Sequence, residues 1–446
     1  MRYLYASILM VFFGSCQFQN QADLLVYNAT IYTVDSAFSV AEAMVIKKGK
    51  IVETGKLSDL EKKYTAKEKL NVEDKFIYPG FIDAHAHFVG YALGLQKLDL
   101  VGTNSWEEIL EKCKKRNQEL DADEWLVGRG WDQNDWQEKD FPSNQKLNEL
   151  FPDRPVYLTR IDGHAAIANT KALELAAIKP GDVIEGGTFE TKKGKLTGVL
   201  IDNAMDAVAG VIPQADKQQL EEALSVAQKN CFAVGLTTIV DAGLEHEMVE
   251  LIDTLQKEGK LKMRIFAMLS DNKKNYDWLK THGKIKTDFL NVRAFKVFGD
   301  GALGSRGACL LQDYSDRPGW RGFLLSSIAH FDSVAKVIAE NDWQMCTHAI
   351  GDSGNRTVLT IYSKYLKGKN DKRWRIEHAQ VINRDDFHYF GDNNIIPSVQ
   401  PTHATSDMYW AEQRLGPVRV KGAYAYQQLL NQNGWIALGT DFPVED

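Results

Sequence analysis

The chain has 446 residues, of which 44% are hydrophobic and 25% charged, so it is long and apolar enough to bury a large core. Its 53 basic and 60 acidic residues give a net charge of −7, and no long basic block is present. This balance argues against a nucleic-acid-binding protein, and we expect a small-molecule substrate instead.

The first sixteen residues have the pattern of an export signal. Arg2 precedes an apolar run at residues 4–13, which is too short to remain as a membrane span. The run leads into Phe-Gly-Ser-Cys at residues 13–16, which resembles the lipobox of bacterial lipoproteins, although ordinary cleavage nearby is the alternative. We therefore expect a signal peptide over residues 1–16 with Cys16 lipidated. The mature protein would be an exported cell-envelope lipoprotein that touches the membrane only through this anchor.

The other cysteines are scattered and contain no C-x-x-C pair; they are Cys113, Cys231, Cys309 and Cys346. They predict neither a disulfide framework nor a thiolate metal site, and we expect buried free thiols.

A short β-rich region follows the signal. Residues 22–78 contain strand-like runs separated by turns such as Lys48-Gly49, and the alternation at residues 43–46 suits a small β-sheet. This region is too small to be stable alone, so we expect it to pack on a larger domain.

Eight apolar, β-rich runs lie in the remaining chain. The first ends at His87, and the others cover residues 236–240, 263–269, 292–298, 343–347, 375–377, 395–399 and 435–438. Helical patterns separate several of them, for example at residues 218–233. Short buried strands that alternate with helices indicate a parallel sheet, and eight of them predict a (β/α)8 TIM-type barrel over residues 81–446.

The interval from about residue 89 to about residue 215 is too long for one crossover between barrel strands. It contains strand-like pieces at 125–128 and 156–160 and a helical piece at 171–177. We interpret it as an insertion between the first and second barrel strands.

Two histidines end the first barrel strand. His85 and His87 alternate in an apolar run, so both side chains point to one face and could share a metal ion. A half-buried strand can also carry two histidines for packing alone. Active-site residues of a barrel lie at the C-terminal ends of its strands, so partners are expected at the later ends. Those ends carry Lys296, His348, His378 and Asp441.

Imidazole and carboxylate groups are ligands that zinc prefers, with an open position for water at catalytic sites. Lys296 needs a separate explanation, because a free ammonium cannot bind a cation; its alternative role is an ion pair with Asp300 or Glu377. Asp441 could instead cap a helix.

Six motifs in this order resemble the amidohydrolase superfamily, and specifically its amidohydrolase-3 (YtcJ-like) branch. They are Pro79-Gly-Phe-Ile-Asp-Ala-His-Ala-His, Arg160-Ile-Asp-Gly-His-Ala-Ala, Lys296-Val-Phe-Gly-Asp-Gly-Ala-Leu-Gly-Ser-Arg, Thr347-His-Ala-Ile-Gly-Asp, Arg375-Ile-Glu-His-Ala-Gln and Gly439-Thr-Asp-Phe-Pro. The resemblance runs from about residue 22 to the end of the chain.

The resemblance implies two divalent metal ions, with zinc as the first expectation. His85, His87 and Asp441 would hold one ion, His348 and His378 the other, and a carboxylated Lys296 would bridge them. Asp441 would also be the catalytic proton acceptor.

The resemblance also implies an N-terminal β-sandwich over residues 22–80, incomplete because its C-terminal strands are missing. Family members continue beyond the final Pro-Val-Glu-Asp, so we expect a truncated C-terminus and a poorly soluble or unstable 446-residue protein.

Four further residues are candidates for substrate contacts: His164, Asp300, Arg306 and His403. Each also has a structural alternative, since Asp-Gly-His at 162–164 suits a turn and Asp300 could pair with Arg306. Five aromatic residues suggest an apolar or aromatic substrate group, although aromatic side chains also fill cores; they are Trp131, Trp136, Phe141, Tyr314 and Trp320.

The predicted activity is hydrolysis of a non-peptide, amide-like carbon–nitrogen bond by a metal-activated water. The alternatives are deamination or ester, lactone or phosphoester hydrolysis on the same barrel, or an inactive binding or regulatory barrel protein. The sequence leaves the oligomeric state open.

Overall fold

A computed structural model describes residues 20–445, so the predicted signal peptide and Cys16 lie outside the described residues. The chain divides into two units between Phe81 and Ile82. Within residues 20–445, no helix combines the length and the apolar character needed to cross a membrane.

The first unit is one four-stranded sheet with one helix. Its elements are β1 (Asn20–Tyr32), β2 (Val40–Lys47), β3 (Lys50–Gly55), α1 (Leu57–Lys63) and β4 (Tyr64–Ile77). The order is β3-β2-β1-β4, with β1 antiparallel to β2 and parallel to β4. Its core contains Ala22, Leu25, Ala43, Val45 and Leu60. Where we predicted an incomplete β-sandwich, residues 20–81 show a single sheet.

The strand β5 (Phe81–Ala86) begins one residue before this boundary and is followed by α2 (Phe88–Gly94), and a second sheet then interrupts the barrel. Its strands are β6 (Leu98–Asp99), β7 (Leu126–Trp131), β8 (Val156–Arg160), β9 (Ala165–Ala168), β10 (Gly187–Lys192) and β11 (Lys195–Asp202). They lie in the order β10-β11-β9-β8-β7-β6. The helices of this insertion are α3 (Trp106–Asn117), α4 (Gln145–Leu150), α5 (Thr170–Leu175) and α6 (Ala204–Ala209), with a 3-10 turn at Gln133–Asp135.

The remaining strands complete the barrel. They are β12 (Leu236–Leu244), β13 (Arg264–Ser270), β14 (Ile285–Lys286), β15 (Leu290–Phe298), β16 (Gln344–Ala349), β17 (Arg375–His378), β18 (Ile396–Val399) and β19 (Ala437–Leu438). The order around the barrel is β5-β12-β13-β15-β16-β17-β18-β19, and the short β14 pairs antiparallel with β15. All eight predicted barrel strands are thus present, and the TIM-type α/β fold is confirmed.

The helices of this part of the chain connect the barrel strands. They are α7 (Lys217–Ala233), α8 (His246–Lys257), α9 (Lys273–His282), α10 (Ile328–Glu340), α11 (Asp352–Leu366), α12 (His388–Asp392), α13 (His403–Ser406), α14 (Ala411–Arg419) and α15 (Tyr426–Asn433), with 3-10 turns at Arg384–Asp386 and Val420–Gly422. The predicted helix at 218–233 is α7, which starts in a capping box between Asp216 and Gln219 and buries Leu224, Ala227 and Cys231.

The segment after β19 brings the barrel back to its first strand. The Asp441 N–H donates to the His85 carbonyl at 2.7 Å, and the His87 N–H donates to the Phe442 carbonyl at 2.9 Å. These backbone bonds place Asp441 beside the two histidines of the first strand.

All four cysteines in the described part of the chain are free thiols. Cys113, Cys231 and Cys346 are buried, whereas Cys309 is half-buried.

Candidate metal centre

The C-terminal ends of four barrel strands and the segment after β19 bring six predicted site residues together. The Asp441 Oδ1 lies 3.2 Å from the His87 Nε2 and 3.4 Å from the His85 Nε2. One potential ligand atom from each of these three residues lies within 4.8 Å of the other two. They therefore form a compact group that could hold a metal ion.

His348 and His378 lie next to this group. Their ring centroids are 4.5 Å apart, and the ring of His378 is 5.0 Å from that of His85. Both side chains are buried, as expected for residues at the ends of β16 and β17. The structure thus places the residues predicted for the second ion beside those predicted for the first.

A buried carboxylate orients His85. The His85 Nδ1 lies 2.5 Å from the Glu377 Oε2, and Arg375 holds Glu377 through bonds of 2.6 Å from Nε and 2.8 Å from Nη2. A carboxylate on one ring nitrogen fixes the ring and leaves the other nitrogen for a metal. We had considered Glu377 only as a partner for Lys296; its place one residue before His378 was the available signal.

Lys296 is fully buried and points at the same group. Its Nζ lies 3.2 Å from the His85 Nε2, and no ion pair with Asp300 or Glu377 is formed among the described residues. Asp300 instead accepts hydrogen bonds from the backbone N–H groups of Cys309, Ile350 and Gly351, at 2.8 to 2.9 Å.

The ionisation of the site follows from burial and close neighbours. Burial alone would raise the pKa of Asp441, but His85 and His87 hold that pKa well below its ordinary value, so the carboxylate is charged. Burial, together with neighbouring His164 and Lys296, lowers the pKa of His348 far below its usual range. Burial and His348 do the same to the pKa of His378. Neutral imidazoles and a charged carboxylate are the forms that bind metals.

Burial also lowers the pKa of Lys296, against the opposing effect of Glu377 and Asp441. A lower pKa increases the neutral amine fraction, which is the form that reacts with CO2.

Two buried polar atoms support a fit to metal ions. The His378 Nδ1 and the Asp441 Oδ1 are buried without a hydrogen bond, and the Asp441 Oδ1 has only its ion-pair contacts with His85 and His87. Buried polar groups are nearly always satisfied, and atoms that ligate an ion are one of the recognised exceptions. The donor set of imidazoles and a carboxylate suits zinc.

A cavity of about 350 Å³ opens onto this group. His348, His378 and Asp441 line it from the barrel, and Arg160 and His164 line it from the insertion. His403 lines it too, with its ring stacked on that of His378 at 5.9 Å. His164 and His403 are therefore placed where a substrate could reach them.

Asp300 and Arg306 do not face the cavity, although the Asp300 Oδ1 lies 3.8 Å from the His348 Nε2. Neither lines the cavity, and they do not pair with each other, because Arg306 pairs with Asp316 at 3.0 Å.

The five aromatic residues do not line the cavity either. Trp131 and Trp136 belong to the core of the insertion with Phe141 against it, while Tyr314 and Trp320 belong to a separate cluster. Our suggestion that they shape the substrate site was wrong, because they are packing residues, and the tryptophan that lines the cavity is Trp410.

This chain is similar to several known proteins. A model described as the amidohydrolase family matches residues 70–446. Protein LONG AFTER FAR-RED 3 of Arabidopsis thaliana is 32% identical over 95% of this chain and 76% of its own length. The putative amidohydrolase YtcJ of Bacillus subtilis is 30% identical over 93% of this chain and 80% of its own.

Two further matches bear on chemistry and fold. An N-substituted formamide deformylase of Arthrobacter pascens is 26% identical over 80% of this chain and 69% of its own length. The solved structure of an uncharacterized metal-dependent hydrolase from Pyrococcus horikoshii superposes with a TM-score of 0.75 at 26% identity, covering 95% of this chain and 83% of that one.

Proposed function

Because the chain belongs to the amidohydrolase family, and within it resembles metal-dependent hydrolases, we propose that it hydrolyses a non-peptide, amide-like carbon–nitrogen bond. The observation that carries the proposal is the group of His85, His87 and Asp441 beside His348 and His378, of which Asp441, His348 and His378 line one cavity. The formamide deformylase among the relatives acts on a bond of this class.

The metal arrangement belongs to the same proposal. His85, His87 and Asp441 would hold one divalent ion, His348 and His378 a second, and Lys296 would bridge them as a carbamate. When bound, zinc ions supply an acidified water, with a pKa lowered to about 7, and an electrophile for the substrate carbonyl.

Asp441 would act first as the general base and then as the general acid. Its charged carboxylate accepts the proton of the attacking water and passes it to the leaving nitrogen. This transfer matters because an amide anion is a poor leaving group, and positioned general acids and bases contribute about 10² to 10⁴ in rate.

His85 needs no role in proton transfer. Glu377 occupies its Nδ1, and Arg375 fixes Glu377 in turn, so the His85 Nε2 is held toward Asp441. Burial of this chain of charges keeps the ring in one orientation.

The test combines metal analysis with a substrate panel. Purified protein is assayed for zinc, manganese and iron by elemental analysis, and for hydrolysis of N-butylformamide, N-acetyl amino acids, a butyl ester, a lactone, a phosphoester and an aminopyrimidine. We expect close to two equivalents of metal and turnover of an amide. Turnover of only the ester, lactone, phosphoester or aminopyrimidine would replace the amide assignment. Less than one equivalent of tightly bound metal without any turnover would overturn the enzyme assignment and favour a binding or regulatory protein.

A further inference from the structure

His164 is the one cavity-lining histidine that the insertion supplies among the described residues. It follows β8 in the turn that leads to β9, far in sequence from the barrel strands. Its backbone N–H donates to the Asp162 Oδ1 at 3.0 Å, which fixes the turn. Its ring lies 4.9 Å from that of His348, so a molecule bound at the His348 end of the cavity also reaches His164.

A buried carboxylate holds this ring. The His164 Nδ1 lies 2.6 Å from the Asp202 Oδ1, and the Asp202 side chain is fully buried. With Nδ1 occupied, Nε2 is the ring nitrogen left for the cavity. Asp202 is the last residue of β11, so both members of the pair come from the insertion.

The loop after β15 leaves room for the Asp202 carboxylate. A Cβ on Gly301 or on Gly307 would lie 2.3 Å from the Asp202 Oδ2, so only glycine fits at both positions. The loop after β15 thus closes over Asp202 from the other side. The Asp202 Oδ2 itself has no hydrogen-bond partner, which is a costly arrangement for a purely structural residue.

We propose that His164 is a catalytic residue that hydrogen-bonds to the reacting amide through Nε2, and that Asp202 is its positioning residue. This inference rests on the proposed amide hydrolysis. It makes the insertion part of the catalytic machinery, because a hydrogen bond aimed at the reacting group stabilises the transition state more than the ground state.

The competing explanation is that His164 and Asp202 only stabilise the packing of the insertion on the loop after β15. The two explanations differ in how the loss of Asp202 affects the rate when His164 is already absent. If Asp202 acts on the reaction only through His164, then removing Asp202 has no further effect on the rate once His164 is gone.

The experiment is therefore a double-mutant cycle on the metal-loaded protein. The variants are His164→Met, His164→Gln, Asp202→Asn and the His164→Met/Asp202→Asn double variant, each assayed for kcat and KM with N-butylformamide. We expect His164→Met to lower kcat about 100-fold with a smaller change in KM. Glutamine, which keeps a polar group near the Nε2 position, restores part of the loss. Asp202→Asn alone lowers kcat about tenfold, and changes it less than twofold in the His164→Met background.

Two controls separate this effect from folding and metal loss. His246→Gln, at a histidine on α8 whose Nδ1 lies 3.1 Å from Asn275, should leave kcat unchanged. Melting temperature and metal content should match the wild type in every variant. Equal losses from Asp202→Asn in both backgrounds, or a His164→Met kcat within threefold of wild type, would overturn the proposal.

A binding measurement decides the matter without turnover. If the wild type hydrolyses no amide, the proposed function fails, and the affinity of the variants for N-butyl phosphoramidate, a tetrahedral mimic, is compared by calorimetry. At least tenfold weaker binding in His164→Met, with no further loss in the double variant, supports the pair. Unchanged binding overturns it.

Discussion

At the scale of single residues, one oxygen of Asp441 faces both histidines of the first strand. Its Oδ1 lies 3.2 Å from the His87 Nε2 and 3.4 Å from the His85 Nε2. The Asp441→Asn variant keeps the shape and removes the charge. We expect kcat for the preferred substrate to fall by at least about 100-fold, since proton transfer and a metal ligand are lost together. Steady-state kinetics and elemental analysis measure both effects, and a kcat within threefold of wild type would contradict the assignment.

Lys296 offers a test of its own chemistry. Its buried amine points at the His85 Nε2 from 3.2 Å, where a carbamate could bridge two ions. In Lys296→Ala we expect bound metal to fall below one equivalent and activity to drop by at least about 100-fold. Acetate or propionate should restore part of both, because a small carboxylate can occupy the place of the carbamate. Lys296→Arg is the matched control, since its permanent positive charge leaves no room for rescue. Full activity of Lys296→Ala without added acid would refute the bridging role.

The sequence could predict residues whose position follows from a strand end. His85, His87, Lys296, His348, His378 and Asp441 converge because parallel strands bring their C-terminal ends to one mouth. The sequence could not predict that Glu377 contacts His85 rather than Lys296, because this contact depends on how β17 and β5 face each other across the barrel. The pairing of His164 with Asp202 was also out of reach, since it depends on how the insertion folds.

At the scale of elements, the loop after β15 is built around two carboxylates. Asp300 gathers three backbone N–H groups, and Asp202 enters between Gly301 and Gly307. In the motif from Lys296 to Arg306, Gly301 and Asp300 therefore follow from the packing of this loop. Asp300, which we had placed among the substrate contacts, organises the loop instead.

Gly307 tests this arrangement. A Cβ there would lie 2.3 Å from the Asp202 Oδ2, so Gly307→Ala should destabilise the protein by about 1 to 3 kcal/mol in urea unfolding. A Gly307→Ala/Asp202→Ala double variant should lose less than the sum of the single changes, since the clash is relieved. Gly94→Ala, at a helical residue where nothing lies within 4 Å of the added Cβ, is the control and should not destabilise the protein. Additive losses in the double variant would show that the glycine does not accommodate Asp202.

Elements were predictable where periodicity alone decides them. The eight barrel strands and α7 follow from apolar runs and helical spacing. The single sheet at the N-terminus was not predicted. Alternation of apolar and polar residues indicates a strand, but it does not show which other strand pairs with it. The insertion was recognised by length, whereas its six-stranded order could not be read from isolated strand-like pieces.

At the scale of the whole molecule, a buried carboxyl on β12 should make stability depend on pH. Burial raises the pKa of Asp241 to about 7, even though its carboxyl accepts the Val89 N–H at 3.0 Å. An unfolded aspartate has a pKa of about 3.9, so the folded protein holds this proton more tightly. Stability is then greatest below about pH 4 with respect to this group, and falls as pH rises through about 7.

Asp241→Asn removes this contribution. The free energy of unfolding of the variant, relative to wild type, should be more favourable at pH 8 than at pH 5, by up to about 3 kcal/mol. Urea titrations at the two values measure it, and Asp300, whose pKa is also raised to about 7, leaves a common slope in both proteins. An equal difference between variant and wild type at both pH values would contradict the raised pKa.

Cellular location is a proposal that rests on residues 1–16. We propose that Cys16 carries a lipid, so Cys16→Ser should move the protein from the membrane fraction to the soluble fraction when it is expressed in a bacterium. Labelling with radioactive palmitate measures the modification directly, and Cys113→Ser, at a buried thiol of the insertion, is the matched control. Unchanged fractionation without label would favour ordinary cleavage.

The return of the chain to its first strand has a consequence for how the site comes into being. Thr440 bonds Asp83 across 357 positions of sequence, and the neighbouring Asp441 completes the group at His85 and His87. Closing so long a loop costs entropy, so we expect the three side chains to meet after the strands between them have formed. Metal binding would then require a completed barrel. Ions held between β5 and the segment after β19 would stabilise the contact between these two parts of the chain. When a chelator removes the ions, we expect the backbone amides of β5 and of the segment after β19 to exchange with deuterium before those of the strands on the opposite side of the barrel.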